Sequence, residues 1–364
     1  MPKFIKGLAL SEAFFNEAVK PILDTEFPSL CYSAGLIGPG SEVLGFDTEQ
    51  STDHDWGPRL LLFLSREDHP HYSAPIKETL GQKLPYHFHG YSTNFLSFPD
   101  GQSTRLDDIS EGSVNHRIWV VTVEDNFRYY LGIDLERPFT LIDWLTTPQQ
   151  MLLSLTSGQI FHDGLSRLEP LRAQFAYYPY DLWLYLLAAG WQRISQEEPF
   201  MGRSGQIDDE LGSQVIASRL VHDIMALCFL MEKRYAHYSK WFGSGFARLK
   251  CADQLTPILQ KTISSSGWQA REQHLSAAYH FIAEMHNTLG ITVPLPTNVS
   301  AYFDRPFKVI HGDRFAAELL AKITDEEVLL LPPYLGGIDQ WVNSTDVLSK
   351  GSRCKDLWGI YRPK

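Results

Sequence analysis

Cysteine is scarce in this chain. Cys31, Cys228, Cys251 and Cys354 are scattered through 364 positions and form no C-x-x-C pair. Their spacing excludes a disulfide scaffold and suits no zinc knuckle. Cys228, set in an apolar helical pattern, reads as a small core residue. Long hydrophobic runs are also missing. No stretch approaches the roughly 20 apolar residues that span a bilayer, and Met1 to Leu10 has no signal-type apolar run. The expectation is a soluble, cytoplasmic protein without a membrane partner, so the sequons at Asn298 and Asn343 carry little meaning. Positive charge is not in excess either. Lys and Arg total 32 against 43 Asp and Glu, a formal net charge of -11. That argues against non-specific nucleic-acid binding, which needs a basic surface. No internal repeat and no low-complexity tract is present.

What remains is an ordinary globular balance, 44% hydrophobic and 21% charged, in a chain long enough for two domains. The N-terminal part mixes helix and strand signals. Ser11 can cap a helix to about Leu23, with Phe14, Phe15, Ala18, Val19 and Ile22 on one side. Strands are expected at Cys31–Ile37, ending in Gly38-Pro39-Gly40, at Arg59–Leu64, whose leucine run reads as buried on both faces, and at Arg117–Val123. One helix, Ala74–Leu84, lies between the last two. From about Pro138 the pattern turns helical, with helices at Pro179–Pro199, Asp208–Tyr235 and Gln269–Leu289. Past Val293, proline and glycine leave only short elements. The division expected is an α/β domain over 1–140, a helical domain over 141–295 and an irregular extension over 296–364, packed on the core.

The segment richest in chemistry runs from Leu36 to Leu64. A strand ends in a glycine turn carrying Ser41, and Asp53-His54-Asp55 then leads into a buried strand. Alternation along a strand puts Asp53 and Asp55 on one face if strand pairing reaches them. Two carboxylates that close repel each other unless a cation neutralises them. Mg²⁺ takes such hard oxygen ligands and keeps positions open for phosphate. The Gly40-Ser41 turn can bring N–H groups and a hydroxyl against a triphosphate with no Cβ in the way.

This constellation resembles the nucleotidyltransferase superfamily, which includes polymerase-β-like enzymes and aminoglycoside nucleotidyltransferases. Their pattern is G-S followed by D-x-D at a strand start. The run Asp53-His-Asp-Trp-Gly-Pro-Arg59 is similar to an uncharacterised family of nucleotidyltransferase-like proteins, as are Trp191–Glu198 and Lys240–Gly243. The resemblance implies an α+β fold, with an N-terminal mixed sheet and helices followed by a mainly helical domain. It implies Mg²⁺ on Asp53 and Asp55, a nucleoside triphosphate such as ATP gripped by Gly40 and Ser41, and transfer of a nucleoside monophosphate to a small-molecule hydroxyl. The alternatives are a catalytically weak nucleotide sensor or scaffold and a regulator that nucleotidylates another protein. The sequence leaves room for a homodimer and gives neither acceptor nor preferred base. The superfamily carries a third carboxylate on a following strand; Arg117–Val123 has none, and Trp119 stands at an inner position where an acid is expected. Glu124, just past that strand, is a replacement candidate.

Glu198 falls on the apolar stripe of Leu187, Trp191 and Ile194, which suits a general base of raised pKa; Glu197 and Glu198 also read as helix-end groups paired with Arg193 or Arg203. Arg59 can meet phosphate or pair with Asp53 or Asp55. Lys240 and Arg219 are candidate triphosphate contacts, or ordinary solvated charges. His87-x-His89 lacks a third ligand, and His274, His280 and His286 share no helical face. His311-Gly312-Asp313 resembles a kinase catalytic loop, but Glu318 stands where the magnesium-binding Asn is required. Tyr177, Tyr178 and Tyr180 read as packing residues or as a cleft lining.

Overall fold

The computed structural model describes residues 3–99 and 103–362. The architecture is α+β. The chain divides into two compact units, Met1–Pro138 with Met151–Ala176, and Phe139–Gln150 with Tyr177–Lys364. Residues 151–176, expected in the helical domain, belong to the first unit. Residues 296–364, expected as an irregular extension packed on the core, belong to the second.

The first unit is built on a four-stranded mixed sheet: β1 (Tyr32–Leu36), β2 (Arg59–Leu64), β3 (Arg117–Thr122) and β4 (Gln159–Asp163), in spatial order β3-β2-β1-β4. β1 runs antiparallel to β2 and β4, and β2 parallel to β3. β4 explains the return of residues 151–176: without it, β1 would present an unpaired edge. The parallel connection from β2 to β3 carries helix α1 (His69–Lys83), which packs on β3. α1 starts well before Ala74, because Pro70 sits in the first turn, where its missing N–H costs nothing.

One face of the sheet forms the core. Ala34, Leu60, Leu62, Leu64 and Ile118 pack with Leu10, Phe14, Val19 and Leu23 of the N-terminal helix and with Ile76 and Leu80 of α1. That N-terminal helix begins at Gly7, ahead of Ser11, which is buried inside it. Gly7 is needed there, since a Cβ would lie 2.5 Å from the Trp56 indole nitrogen. Alternation places Arg59, Leu61, Arg117 and Trp119 on the other face.

The second unit is mainly helical: α2 (Tyr180–Gln206), α3 (Glu210–Met231), α4 (Ala252–Ser264), α5 (Trp268–Thr288) and α6 (Gly312–Leu320). Trp183, Leu187, Trp191 and Ile194 are buried on α2, which packs along α3 and α6. α2 continues through Pro199 to Gln206. By length and average composition alone, α3 is one helix that could cross a membrane, although it holds no continuous apolar run of the kind the sequence analysis looked for. Its Arg219, His222 and Asp223 interrupt the apolar run without lowering the average enough, and more than half of it is buried among its neighbours.

Candidate functional site

Of the expected site residues of the first unit, Gly40, Arg59 and Asp55 lie where β1 ends and β2 and β3 begin, with Ser41 and Asp53 beside them in the chain. Trp56 anchors the acidic segment. Its indole donates to Asp47 Oδ2 at 3.2 Å and packs on Phe4 and Tyr91. The same Asp47 oxygen accepts the Gly7 N–H at 2.7 Å, which ties the segment to the N-terminal helix.

Asp53 and Asp55 do not lie on a strand. Asp53 ends a 3-10 helix, Glu49–Asp53, and β2 begins only at Arg59. Strand alternation therefore does not align them. Asp55 sits instead in the left-handed region at φ 49, which an aspartate tolerates better than most residues. Its N–H donates to Thr104 O at 2.7 Å, and its Oδ1 accepts from Thr104 N–H at 3.1 Å and from Arg117 Nη1 at 2.6 Å. Burial works to raise the Asp55 carboxyl, but the bonds from Arg117 and Thr104 outweigh it and hold it below its ordinary value. Asp53 lies 2.8 Å from His54 Nδ1 and is largely exposed.

A chain of contacts links Asp55 to the glycine turn. The Arg117 guanidinium stands 4.6 Å from the centre of the Trp119 ring, and the Arg59 guanidinium stands 5.6 Å from the same ring. Arg59 is buried against Glu42, donating from Nε to Oε1 at 2.7 Å, and also donates to Pro39 O at 3.3 Å. Arg59 thus pairs with an acid, but with Glu42 rather than Asp53 or Asp55. Gly40, at φ 145, lies so close that a Cβ would sit 2.7 Å from Arg59 Nη2. Ser41 opens a turn closed by Leu44 N–H to Gly40 O at 3.2 Å and Phe46 N–H to Ser41 O at 2.7 Å.

Glu124 is not part of this gathering. It follows β3 at the end opposite Arg117, roughly 20 Å along the strand at about 3.3 Å per residue. It is buried and paired with Arg167 and Arg66. In the second unit, Glu198 is buried on α2. Its carboxylate accepts from the N–H groups of Ile310 at 2.6 Å, His311 at 3.2 Å and Gly312 at 3.2 Å. Burial pushes its carboxyl up to about 7, against the lowering effect of those three donors. Glu198 is thus the anchor of the His311-Gly312-Asp313 loop at the start of α6, rather than a cap of its own helix. Lys240 is exposed over the Trp241 ring, and Arg219 pairs with Glu197. His87 and His89 have separate partners, Asp108 and Glu17.

Among the described residues, no group of three or more His, Cys, Asp or Glu side chains is placed to hold a metal ion. The candidate donors are fewer, Asp53 and Asp55. The hydrogen bonds to Asp55 all fall on Oδ1, and both carboxylates are partly exposed. A hard cation held by one or two carboxylates and completed by phosphate oxygens matches that set. Sequence reasoning missed Glu42, Thr104 and Arg117. Arg117 had a partial signal: it opens an expected strand as Arg59 opens another, and the two strands prove to run parallel with these residues in register.

A family model described as a domain of unknown function, DUF4037, matches residues 144–242. That stretch includes Trp191–Glu198 and Lys240. No curated protein and no solved structure matches the chain.

Proposed function

We propose that the first unit binds a nucleoside triphosphate with Mg²⁺ and transfers a nucleoside monophosphate to a hydroxyl of a small molecule. The supporting observation is the chain of contacts from Asp55 through Arg117, Trp119 and Arg59 to Glu42 and Gly40. It brings acid, cation and glycine turn to one end of one sheet. In this reading Asp53 and Asp55 hold the cation, which when bound neutralises phosphate charge. Gly40 and Ser41 receive the triphosphate, and Arg59 braces the turn through Glu42 and the Pro39 carbonyl. Neither Glu124 nor Glu198 is assigned as the base, because each is buried and bonded elsewhere. The net negative charge favours a neutral or cationic acceptor over a nucleic-acid end.

One observation favours a second reading, a nucleotide sensor or scaffold. β3 carries Arg117 and Trp119 on the site face and no acid, which leaves no third metal ligand on that strand. Two measurements separate the readings. Calorimetric titration with Mg-ATP, repeated on the Asp53→Asn/Asp55→Asn double variant, tests the site; equal binding by both proteins refutes it. Mass spectrometry after incubation with Mg-ATP and a metabolite pool tests transfer. A nucleotidylated metabolite supports the enzyme, a nucleotidylated protein supports the regulator, and binding without product supports the sensor.

A further inference from the structure

Arg117 stands where a metal site has no obvious use for a cation. It opens β3, in register beside Arg59, and its guanidinium donates to Asp55 Oδ1 at 2.6 Å and to the Thr104 hydroxyl. Asp55 does not need it for position. The backbone bond from Asp55 N–H to Thr104 O at 2.7 Å, and the return bond from Thr104 N–H to Asp55 Oδ1 at 3.1 Å, hold the residue without it. Arg117 is 20% exposed and Asp55 38%, so the pair borders solvent. The Trp119 ring, 4.6 Å away, offers the guanidinium a second resting surface. Arg59 lacks this freedom, being buried against Glu42.

We infer that Arg117 is a built-in stand-in for the divalent cation at Asp55. With no metal bound, it neutralises the carboxylate. When Asp55 becomes a metal ligand, the guanidinium gives it up and turns to an anionic oxygen of the phosphate chain, which its planar fork suits. The inference rests on the proposed function, since it concerns the same site. Its physical basis is competition. A magnesium ligand must come within about 2.1 Å of the ion, so an Asp55 oxygen bonded to Arg117 cannot serve both cations at full strength.

Two readouts move in opposite directions under one substitution. Mn²⁺ binding to the nucleotide-free protein is followed by electron paramagnetic resonance, and Mg-ATP binding by calorimetry at saturating Mg²⁺. Arg117→Ala removes the competitor, so Mn²⁺ binds about tenfold more tightly or better, an interaction worth about 1.4 kcal/mol. It also removes a phosphate partner, so Mg-ATP binds roughly 10- to 100-fold more weakly, the usual loss for a charged hydrogen-bond partner. Arg117→Lys gives intermediate values of both and serves if the Ala variant fails to fold. Unchanged or weakened Mn²⁺ affinity in a folded variant overturns the inference, as does unchanged Mg-ATP affinity, while the proposed function stands. A wild-type protein that binds Mg-ATP at no concentration overturns the proposed function, and this inference with it.

Discussion

Glu198 offers the sharpest test of how the second unit is held together. Its carboxylate accepts three N–H groups, from Ile310, His311 and Gly312, in a site where it is itself only 4% exposed. Glu198→Ala leaves those donors without their acceptor. Each such orphan costs about 1–3 kcal/mol, and partial relief by water brings the expected loss to about 3–5 kcal/mol. For a unit of roughly 200 residues, that lowers the melting temperature by about 6–20 °C. Glu198→Gln keeps one acceptor and has its own pH signature. The buried acid holds its proton up to about 7, against an ordinary value of 4.5. Between those limits the native state binds more protons than the unfolded chain. Wild-type stability therefore falls as pH rises through that window, by about 3 kcal/mol. The Gln variant does not titrate, so its deficit relative to wild type shrinks by that amount between pH 4.5 and 8. Urea unfolding at pH 4.5, 6 and 8, read by circular dichroism, measures both effects. A loss under 1 kcal/mol for Glu198→Ala would refute the anchoring role, and a pH-independent deficit for Glu198→Gln would refute the raised carboxyl. Loss of transfer by Glu198→Gln with unchanged stability would restore Glu198 as a candidate base.

Three further outcomes follow from buried contacts. Asp47→Ala strips an acceptor from Gly7 N–H and Trp56 Nε1, and should cost about 3–4 kcal/mol in urea unfolding; Asp47→Asn, which keeps one acceptor, should cost clearly less. Gly40→Ala places a Cβ 2.7 Å from both Arg59 Nη2 and Glu42 Oε2, at a backbone φ of 145. It should lose about 1–3 kcal/mol and abolish Mg-ATP binding, and wild-type binding by this variant would sink the glycine turn as a phosphate site. His286 is fully buried between Trp191 Nε1 and the Thr292 hydroxyl, and burial pushes its ring down to about 4 from 6.5. In that window the unfolded chain binds the extra proton, so this histidine's contribution is complete above pH 6.5 and is lost, by about 3 kcal/mol, as pH falls toward 4. Replacing it with Gln should flatten that limb of the stability curve.

The elements legible in the sequence are those set by local pattern. β1, β2 and β3 fall where runs of apolar and β-branched residues place them, and α2, α3 and α5 follow a helical stripe. Their ends were less legible. α2 passes through Pro199 because tertiary packing overrides the local penalty on an interior proline. The site was legible as a set of residue types and illegible as a geometry. Asp53 and Asp55 are conspicuous, but the alternation that would align them needs a strand, and the chain reaches β2 only at Arg59. What positions Asp55 is a pair of bonds with Thr104, 49 residues away, and what neutralises it is a bond from Arg117, 62 residues away. Periodicity carries no information about such pairings. The same limit explains Glu198, whose place on an apolar stripe looked like a perturbed base. Its partners are backbone N–H groups 112 to 114 residues on, and N–H groups have no side-chain signature to read. Both cases turn on one ambiguity. A buried or paired acid looks the same in sequence whether its partner is a substrate, a metal or the protein's own backbone, and only the partner decides which.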